Sequence, residues 1–546
     1  MSSASLLSVL YSGLQDDRLL PPKGIPKIDT FQRVFLKTGR FTTEWFRLNF
    51  DGKAGFGKTA RATVPRRGHI VTRAFLVTVM PDIKGIYGAA AAAAPLGFTT
   101  QPVFGWTNSV GHALVQQAEV TIAGEPIDTI DGRLMEVLDE FHTPLEKVTS
   151  VNRMLGRVDN GFTAKTNGHG ATNQEVITPL PFWFMRGDPS AALPIDAISL
   201  DAVQINITFS SLNSLYVSDP PLAFTQSNVG STTNTSTTSN TPNTSNASSN
   251  VASTATSTVY CAGNTSYYAP LTNTTFTYVL GSNTSNTLNT SNTSNTSNTS
   301  NVITSTFTTP SSLDIIDSYI LLEYVYLDKP EANRIRLANI EYPIVQHYPF
   351  VYETKGAAHA KIPLSIPNLT RDIYFMAHRP EADSFNAPFL ATRDLNALGN
   401  VSNVWWPDAQ GLGKRQPLIP AYSVLDSEPI SSISLLYEGS LVRYATDMPA
   451  LFRSILPGME QIKSPWHNKY YYHIPFGTQH EQFGITNAMG HANLDKVRRV
   501  ELDLTFKPFR GSLQASSVPT YTVYIWAETY NLLRVYGGRA GMLFGY

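Results

Sequence analysis

Cysteine is almost missing from this chain: one, Cys261, stands in 546 residues. A lone thiol closes no intrachain disulfide, which excludes a disulfide-stapled scaffold and fits assembly in a reducing compartment. Charge is scarce too. Asp, Glu, Lys and Arg make up 15% of the residues and the net charge is −1, where ordinary globular chains carry roughly a quarter charged residues. Such a balance offers no general basic face to neutralise phosphates, so direct nucleic-acid binding is not expected. No apolar run reaches the ~18 residues that a membrane-spanning helix needs. Met1–Tyr11 lacks the basic start and the length of a secretory signal. Residues 1–27 read either as a short amphipathic arm that docks on a neighbour or a membrane surface, or as a loosely ordered terminus.

What is present argues for β structure. Aromatic residues reach 11% and there are 35 prolines, a mixture suited to strands and turns rather than long helices. The length predicts two or three domains. In Val203–Phe209 the apolar residues Val203, Ile205, Ile207 and Phe209 alternate with Gln204, Asn206 and Thr208, the period of a half-buried strand. Tyr319–Leu327 is nearly continuously apolar, which suits a strand covered on both faces. These two runs are expected to be neighbours in one sheet. Further strands are expected at Gln32–Leu36, Glu44–Phe50 and His69–Val79. A hairpin is expected at Ala118–Asp128, turning at Ala123-Gly124. The residues at 134, 135, 137, 138 and 141 predict a helix over Gly132–His142, and Pro330–Asn339 predicts another. Residues 145–178 read as a loop. After Tyr342-Pro343 the same grammar repeats, with strands expected at Ile344–Tyr352, Ala360–Ile366, Asp372–His378, Ile430–Tyr437, Tyr470–Pro475, Val497–Phe506 and Tyr521–Tyr530. Short strands in series with long Pro/Gly loops point to two tandem β-sandwiches.

Between the two halves of the first sandwich lies a polar insertion, about 210–312, built of Asn, Thr and Ser. Acceptor triplets for N-glycosylation begin at Asn234, Asn243, Asn246, Asn264, Asn273, Asn283, Asn289, Asn292, Asn295 and Asn298. A segment this polar buries too little to form a core. It is read as a surface tower: either a glycan-bearing or receptor-facing crown, or a spacer whose triplets arise from repetition alone.

Motifs for catalysis are few. Gly52–Thr59 matches the phosphate-binding pattern G-x-x-x-x-G-K-[ST] at each required position. In a nucleotide site that loop opens a helix whose amides hold the phosphates. Here Pro65 and Gly68 follow, so the stretch reads as a Gly-rich hairpin loop between two strands. His467, His473, His480 and His491 lack metal-site spacing and read as surface histidines. Asp314 and Asp317 read as loop residues before a strand rather than an acid pair. No serine sits in G-x-S-x-G. The chain is therefore not expected to be an enzyme, and no cofactor, metal or catalytic residue is assigned. Trp405-Trp406 and Tyr470–Tyr472 support one competing reading, a glycan-gripping surface protein, against the blander reading as core or interface aromatics.

The ordered set of stretches resembles one family. Trp106–Leu114 with Val120–Asp128, Leu180–Phe184 with Ala192–Pro194 and Val203–Ile207, Leu322–Asp328 with the helix after it, and Tyr530–Gly538 follow the order seen in the major capsid proteins of nucleocytoplasmic large DNA viruses. The resemblance implies an all-β fold of two eight-stranded jelly rolls: 28–342, including the insertion, and 343–546. It implies homotrimeric capsomers that look hexagonal and tile an icosahedral shell over an internal membrane, with the chain located in the virion. Its implied partners are neighbouring capsomers, minor capsid proteins, the membrane through the N-terminal arm, and host surfaces through the insertion. The insertion falls before the last strand of the first jelly roll.

Overall fold

In the computed structural model the described residues are 41–83, 103–157, 175–186, 191–219, 223–227, 256–260, 274–280, 301–307, 313–393, 428–439, 441–460, 463–465, 469–477, 490–508 and 518–544. The acceptor asparagines, Cys261, Trp405, Trp406, His467, His480 and the expected strand Gln32–Leu36 lie outside them.

Alternating burial sorts the first half into two sheets around one core. One has the order β1 (Phe41–Asn49), β14 (Asp317–Leu327), β3 (Ile70–Val79), β7 (Glu175–Pro179). The other has the order β2 (Thr59–Thr63), β8 (Val203–Phe209), β5 (Val115–Ile122), β6 (Glu125–Ile130). Val203, Ile205, Ile207 and Phe209 of β8 all point into the core, as the alternation predicts, and share it with Ile320, Leu322 and Tyr324 of β14. Burying each such side chain contributes about 1.5–3 kcal/mol. Two expectations fail here. β8 and β14 are not neighbours in one sheet; they lie in the opposite sheets of one sandwich. β14 is also not covered on both faces: Ser318, Ile320, Leu322 and Tyr324 are buried while Tyr319, Leu321, Glu323 and Val325 are only partly covered. Period alone tells inside from outside, not which strand sits alongside.

The β5–β6 turn is made by Ala123 (φ 54°) and Gly124 (φ 86°), both left-handed as a two-residue hairpin of this kind requires. A small pair, β4 (Val103–Trp106) with β9 (Tyr216–Asp219), closes one end. Because Leu215 and Tyr216 are buried, residues 210–219 belong to the sandwich and the polar insertion starts later than expected. Within the insertion β10 (Ala223–Ser227) pairs with β11 (Thr256–Tyr260) and β12 (Thr274–Leu280) with β13 (Asn301–Phe307). Frequent Thr and Ser blur the apolar alternation that would mark these strands in the sequence. Among the described residues none of these four strands pairs with a strand of either sandwich.

Helices fill the connections. α1 (Val110–Leu114) precedes β5, α2 (Gly132–His142) follows β6, and α3 (Val148–Leu155) lies in the segment expected to be a loop, which also holds β7. α3 buries Val148, Asn152 and Leu155 and ends at Gly156 in the left-handed region, a common helix stop. α4 (Lys329–Leu337) carries Pro in its first turn, as expected.

The second half repeats the plan. One sheet has the order β15 (Ile340–Glu353), β23 (Thr522–Tyr536), β17 (Leu369–His378), β20 (Tyr471–Pro475), with β21 (Ala492–Asn493) on β17 and β24 (Arg539–Met542) on β23. The facing sheet has the order β16 (His359–Leu364), β22 (Val500–Phe506), β18 (Ile430–Tyr437), β19 (Leu441–Thr446). A π-helical turn, Leu451–Ile455, runs into α5 (Leu456–Glu460) after β19. Both halves thus place their first, last, third and sixth principal strands in one sheet and the rest in the other, which is the jelly-roll arrangement. The fold is all-β: two tandem eight-stranded jelly rolls with short helices in the loops.

Candidate functional site

The most elaborate chemistry in the described residues lies where the two sandwiches meet. It is built on α2. Asp131 caps this helix, accepting from Leu134 N at 2.6 Å with one oxygen and from Trp526 Nε1 at 2.9 Å with the other. At Gly132 a Cβ would stand 2.2 Å from His112 O, so only glycine lets α2 leave β6 so close to α1. Leu134, Met135, Val137, Leu138 and Phe141 are buried as the spacing predicts, but so are Glu136 and Glu140.

Two carboxylates at i,i+4 repel by about 0.2–0.5 kcal/mol on an exposed helix; buried without cations they would cost several kcal/mol each. Cations from both halves converge on them. Lys469 Nζ donates to Glu136 at 2.8 Å and to Glu140 at 2.6 Å, and Lys463 Nζ lies 3.6 Å from Glu140. From the first half, Arg157 donates to Glu136 at 2.5 Å and also to Asp139, and His112 Nδ1 sits 2.8 Å from Glu136. Burial pushes the Glu136 carboxyl up, but Arg157 and Lys469 outweigh it and hold the group well below the usual range. Asp139 is held down by Arg157 against the same burial.

A second network continues across the junction. Asp128 Oδ1 of β6 meets His347 Nδ1 at 3.0 Å, Arg186 donates to Glu528 at 2.8 Å, and Arg371 reaches the same carboxylate at 3.1 Å. His473 Nε2 lies 2.8 Å from Asp372, and its ring stacks on Tyr374 at 4.8 Å beside Phe141. Glu528, penalised by burial, is nevertheless kept ionised by Arg186 and Arg371. His473 is thus fully buried rather than a surface residue as expected, whereas His491 is exposed.

The pH consequence has a definite sign. Glu136, Asp139 and Glu528 have folded-state pKa values below their unfolded ones. Their contribution is therefore complete above the unfolded carboxylate value of about 4 and is lost as pH falls through the folded values. Thermal unfolding followed from pH 7 to pH 3 should show a steep loss below about pH 4. An Arg157→Met, Glu136→Gln double variant should show a shallower one.

Other residues singled out from the sequence fall elsewhere. Gly52–Thr59 leads into β2, not a helix, so it is no phosphate loop. Nor is it a hairpin: β1 and β2 lie in opposite sheets. Lys53 and Lys58 instead face Asp314 at 3.3 and 3.8 Å, and Phe56 N donates to the same carboxylate at 3.3 Å. Asp317 is not a loop residue: it opens β14 and pairs with Arg47 at 2.9 Å. Tyr470, Tyr471 and Tyr472 are at most 1% exposed, which removes them as sugar contacts and makes them core. The charged seam itself was missed. Its sequence signal, two glutamates among the apolar positions of a helix, is faint because the cations arrive from distant segments.

Comparison with known proteins agrees with this architecture. The family described as major capsid protein N-terminus matches residues 29–261. Capsid protein 1 of Acanthamoeba polyphaga mimivirus is 27% identical over 225 residues, 40% of this chain and 36% of that protein. The major capsid protein of Pyramimonas orientalis virus is 29% identical over 207 residues, 37% of this chain and 46% of that protein. The chain thus spans less than half the length of these curated relatives. Among solved structures, PBCV-1 VP54, fitted into a reconstruction of the virophage Sputnik, superposes with a TM-score of 0.63 at 16% identity, covering 95% of this chain and 100% of that one. The Faustovirus major capsid protein superposes with a TM-score of 0.55 at 12% identity, covering 97% of each chain. These are structural capsid proteins, not enzymes. The chain is similar, in sequence over much of its first half and in fold over nearly its whole length, to the major capsid proteins of nucleocytoplasmic large DNA viruses, whose double jelly-roll fold it carries.

Proposed function

We propose that this chain is the major capsid protein of a large double-stranded DNA virus, a structural subunit of the virion. Three copies form a pseudo-hexagonal capsomer, and capsomers tile an icosahedral shell with the insertion on its outer surface. In this reading residues from 28 up to the start of β15 form one jelly roll, β15 opens the other at 340 rather than 343, and 1–27 form an arm toward minor capsid proteins or the internal membrane. The observation that carries the reading is the junction: two jelly rolls are joined through a buried apolar and ionic interface, not a flexible linker, so the chain behaves as one rigid block. A shell tile needs that, because bending between its halves would dissipate the contacts that set shell curvature.

Purified protein should sediment as a trimer and form large arrays visible by electron microscopy. A chain that stays monomeric at every concentration would end this reading.

The place of the insertion has its own test. Removing 226–308 takes out hairpins that pair only within themselves, so a folded trimer with an unchanged unfolding midpoint is expected. Loss of folding would count against a surface location. Intact mass before and after glycosidase treatment checks whether the triplets from Asn234 to Asn298 carry sugar.

A further inference from the structure

Beside the charged seam, a cleft of about 360 Å³ opens where the two sandwiches meet, a size that small-ligand sites share. Its first-half wall carries His112, Gln116, Ser210 and Ser214, and its second-half wall carries Asp383 and Phe389. Ser210 directly follows β8, on the connection that leads to the insertion, so the cleft lies at the insertion-bearing end of the molecule.

The polar groups of this cleft are only half used by the fold. His112 is 2% exposed. Its Nδ1 is taken by Glu136 at 2.8 Å, while Nε2 has no partner among the described residues and is not sealed from solvent. Val115 pairs with Phe209 and Gln117 with Thr208, which leaves Gln116 as an extra residue in β5. A bulge of this kind re-aims a side chain, and here Gln116 and Gln117 are both exposed instead of alternating. Ser210 Oγ donates to Ala113 O at 2.7 Å and Ser214 Oγ to Ser211 O at 2.8 Å, so each hydroxyl keeps its lone pairs for a ligand. Asp383 Oδ1 accepts from Arg133 at 3.3 Å and meets His378 Nε2 at 3.0 Å, but its Oδ2 is unused on a side chain that is 50% exposed.

This inventory defines what fits. Acceptors outnumber donors, so the ligand must donate several hydrogen bonds. Its charge must be small, because Asp383 is already answered by Arg133, and Asp131 spends both oxygens on Leu134 N and Trp526 Nε1. A phosphate would face lone pairs, a polyamine would find its one open carboxylate paired, and an aliphatic chain would strand the polar groups at a cost. A neutral molecule with several hydroxyls meets each requirement.

We propose that the cleft binds a neutral sugar ring, with Asp383 Oδ2, Ser210 Oγ, Ser214 Oγ and His112 Nε2 as acceptors for its hydroxyls and the Gln116 amide as a donor. Only the outward position of the cleft rests on the capsomer reading; the binding does not.

Saturation-transfer NMR on the full chain tests it, with glucose, galactose, mannose and N-acetylglucosamine as probes and spermidine and inorganic phosphate as charged controls. At least one neutral sugar should bind at millimolar concentration. Gln116→Trp, which fills the cleft from an exposed position, should abolish the signal with the unfolding midpoint unchanged. Asp383→Asn should weaken binding at least about 10-fold, the usual effect of losing a hydrogen bond to a charged group. No binding by any of the four sugars would mean that the cleft holds solvent only and would overturn the proposal. So would stronger binding of spermidine or phosphate, or sugar binding that survives Gln116→Trp unchanged. Should Gln116→Trp fail to fold, Gln116→Ala and Asp383→Asn decide: undiminished binding in both overturns the site. A trimer that binds no sugar fells this proposal alone, and a sugar-binding chain that never trimerises fells the capsomer reading alone.

Discussion

Replacing Arg157 with methionine is expected to destabilise the protein by about 3–5 kcal/mol, the usual cost of removing one partner from a buried ion pair. Arg157 serves Glu136 and Asp139 directly, and Glu140 lies 3.7 Å from its guanidinium. Its side chain is 5% exposed, so water cannot take its place. Without it the carboxylates retain Lys469, the more distant Lys463 and the His112 ring beside Glu136, too little positive charge for three buried carboxylates. Chemical denaturation of the purified variant measures the loss. Adding Glu136→Gln should restore a sizeable part of it, because the second change removes the orphaned charge. If Arg157→Met alone costs less than about 1 kcal/mol, as an exposed pair would, the buried network adds little to stability.

Trp183→Ala should be comparably severe, about 3–5 kcal/mol, the range for deleting a large aromatic from a packed core. Trp183 is fully buried and meets Phe184 edge to face at 5.1 Å, in the short helical turn after β7. That turn lies in the shared core, among side chains of both halves. The cavity left behind would therefore loosen the sandwich and the junction together. Lower thermal stability and a reduced yield of trimer are expected. Wild-type stability would mean that neighbouring side chains collapse into the space at little cost.

Much of this molecule can be read from residues alone, and the failures have a common cause. The hairpin at Ala123-Gly124, the helix Gly132–His142, the strand Ile430–Tyr437 and the helix after Asp328 are local matters: turn chemistry, side-chain period and a proline in a first turn decide them within a few residues. β19 and β24 are not legible in the sequence, because an edge strand needs little apolar alternation. Tyr471–Pro475 is buried at each position, so its aromatics could not be divided into core and surface by pattern, and only packing shows that no sugar reaches them.

By itself the sequence determined the class of the protein: alternation without long helices makes sandwiches, and a second round of the same grammar makes two of them. Only the tertiary structure decided which strands lie side by side, why the loop carrying Lys58 meets Asp314 rather than a phosphate, and where Glu136 finds Lys469. Those outcomes depend on residues brought together across hundreds of positions. Local preferences are blind to such pairings, because the energy that selects them appears only once the chain has closed on itself.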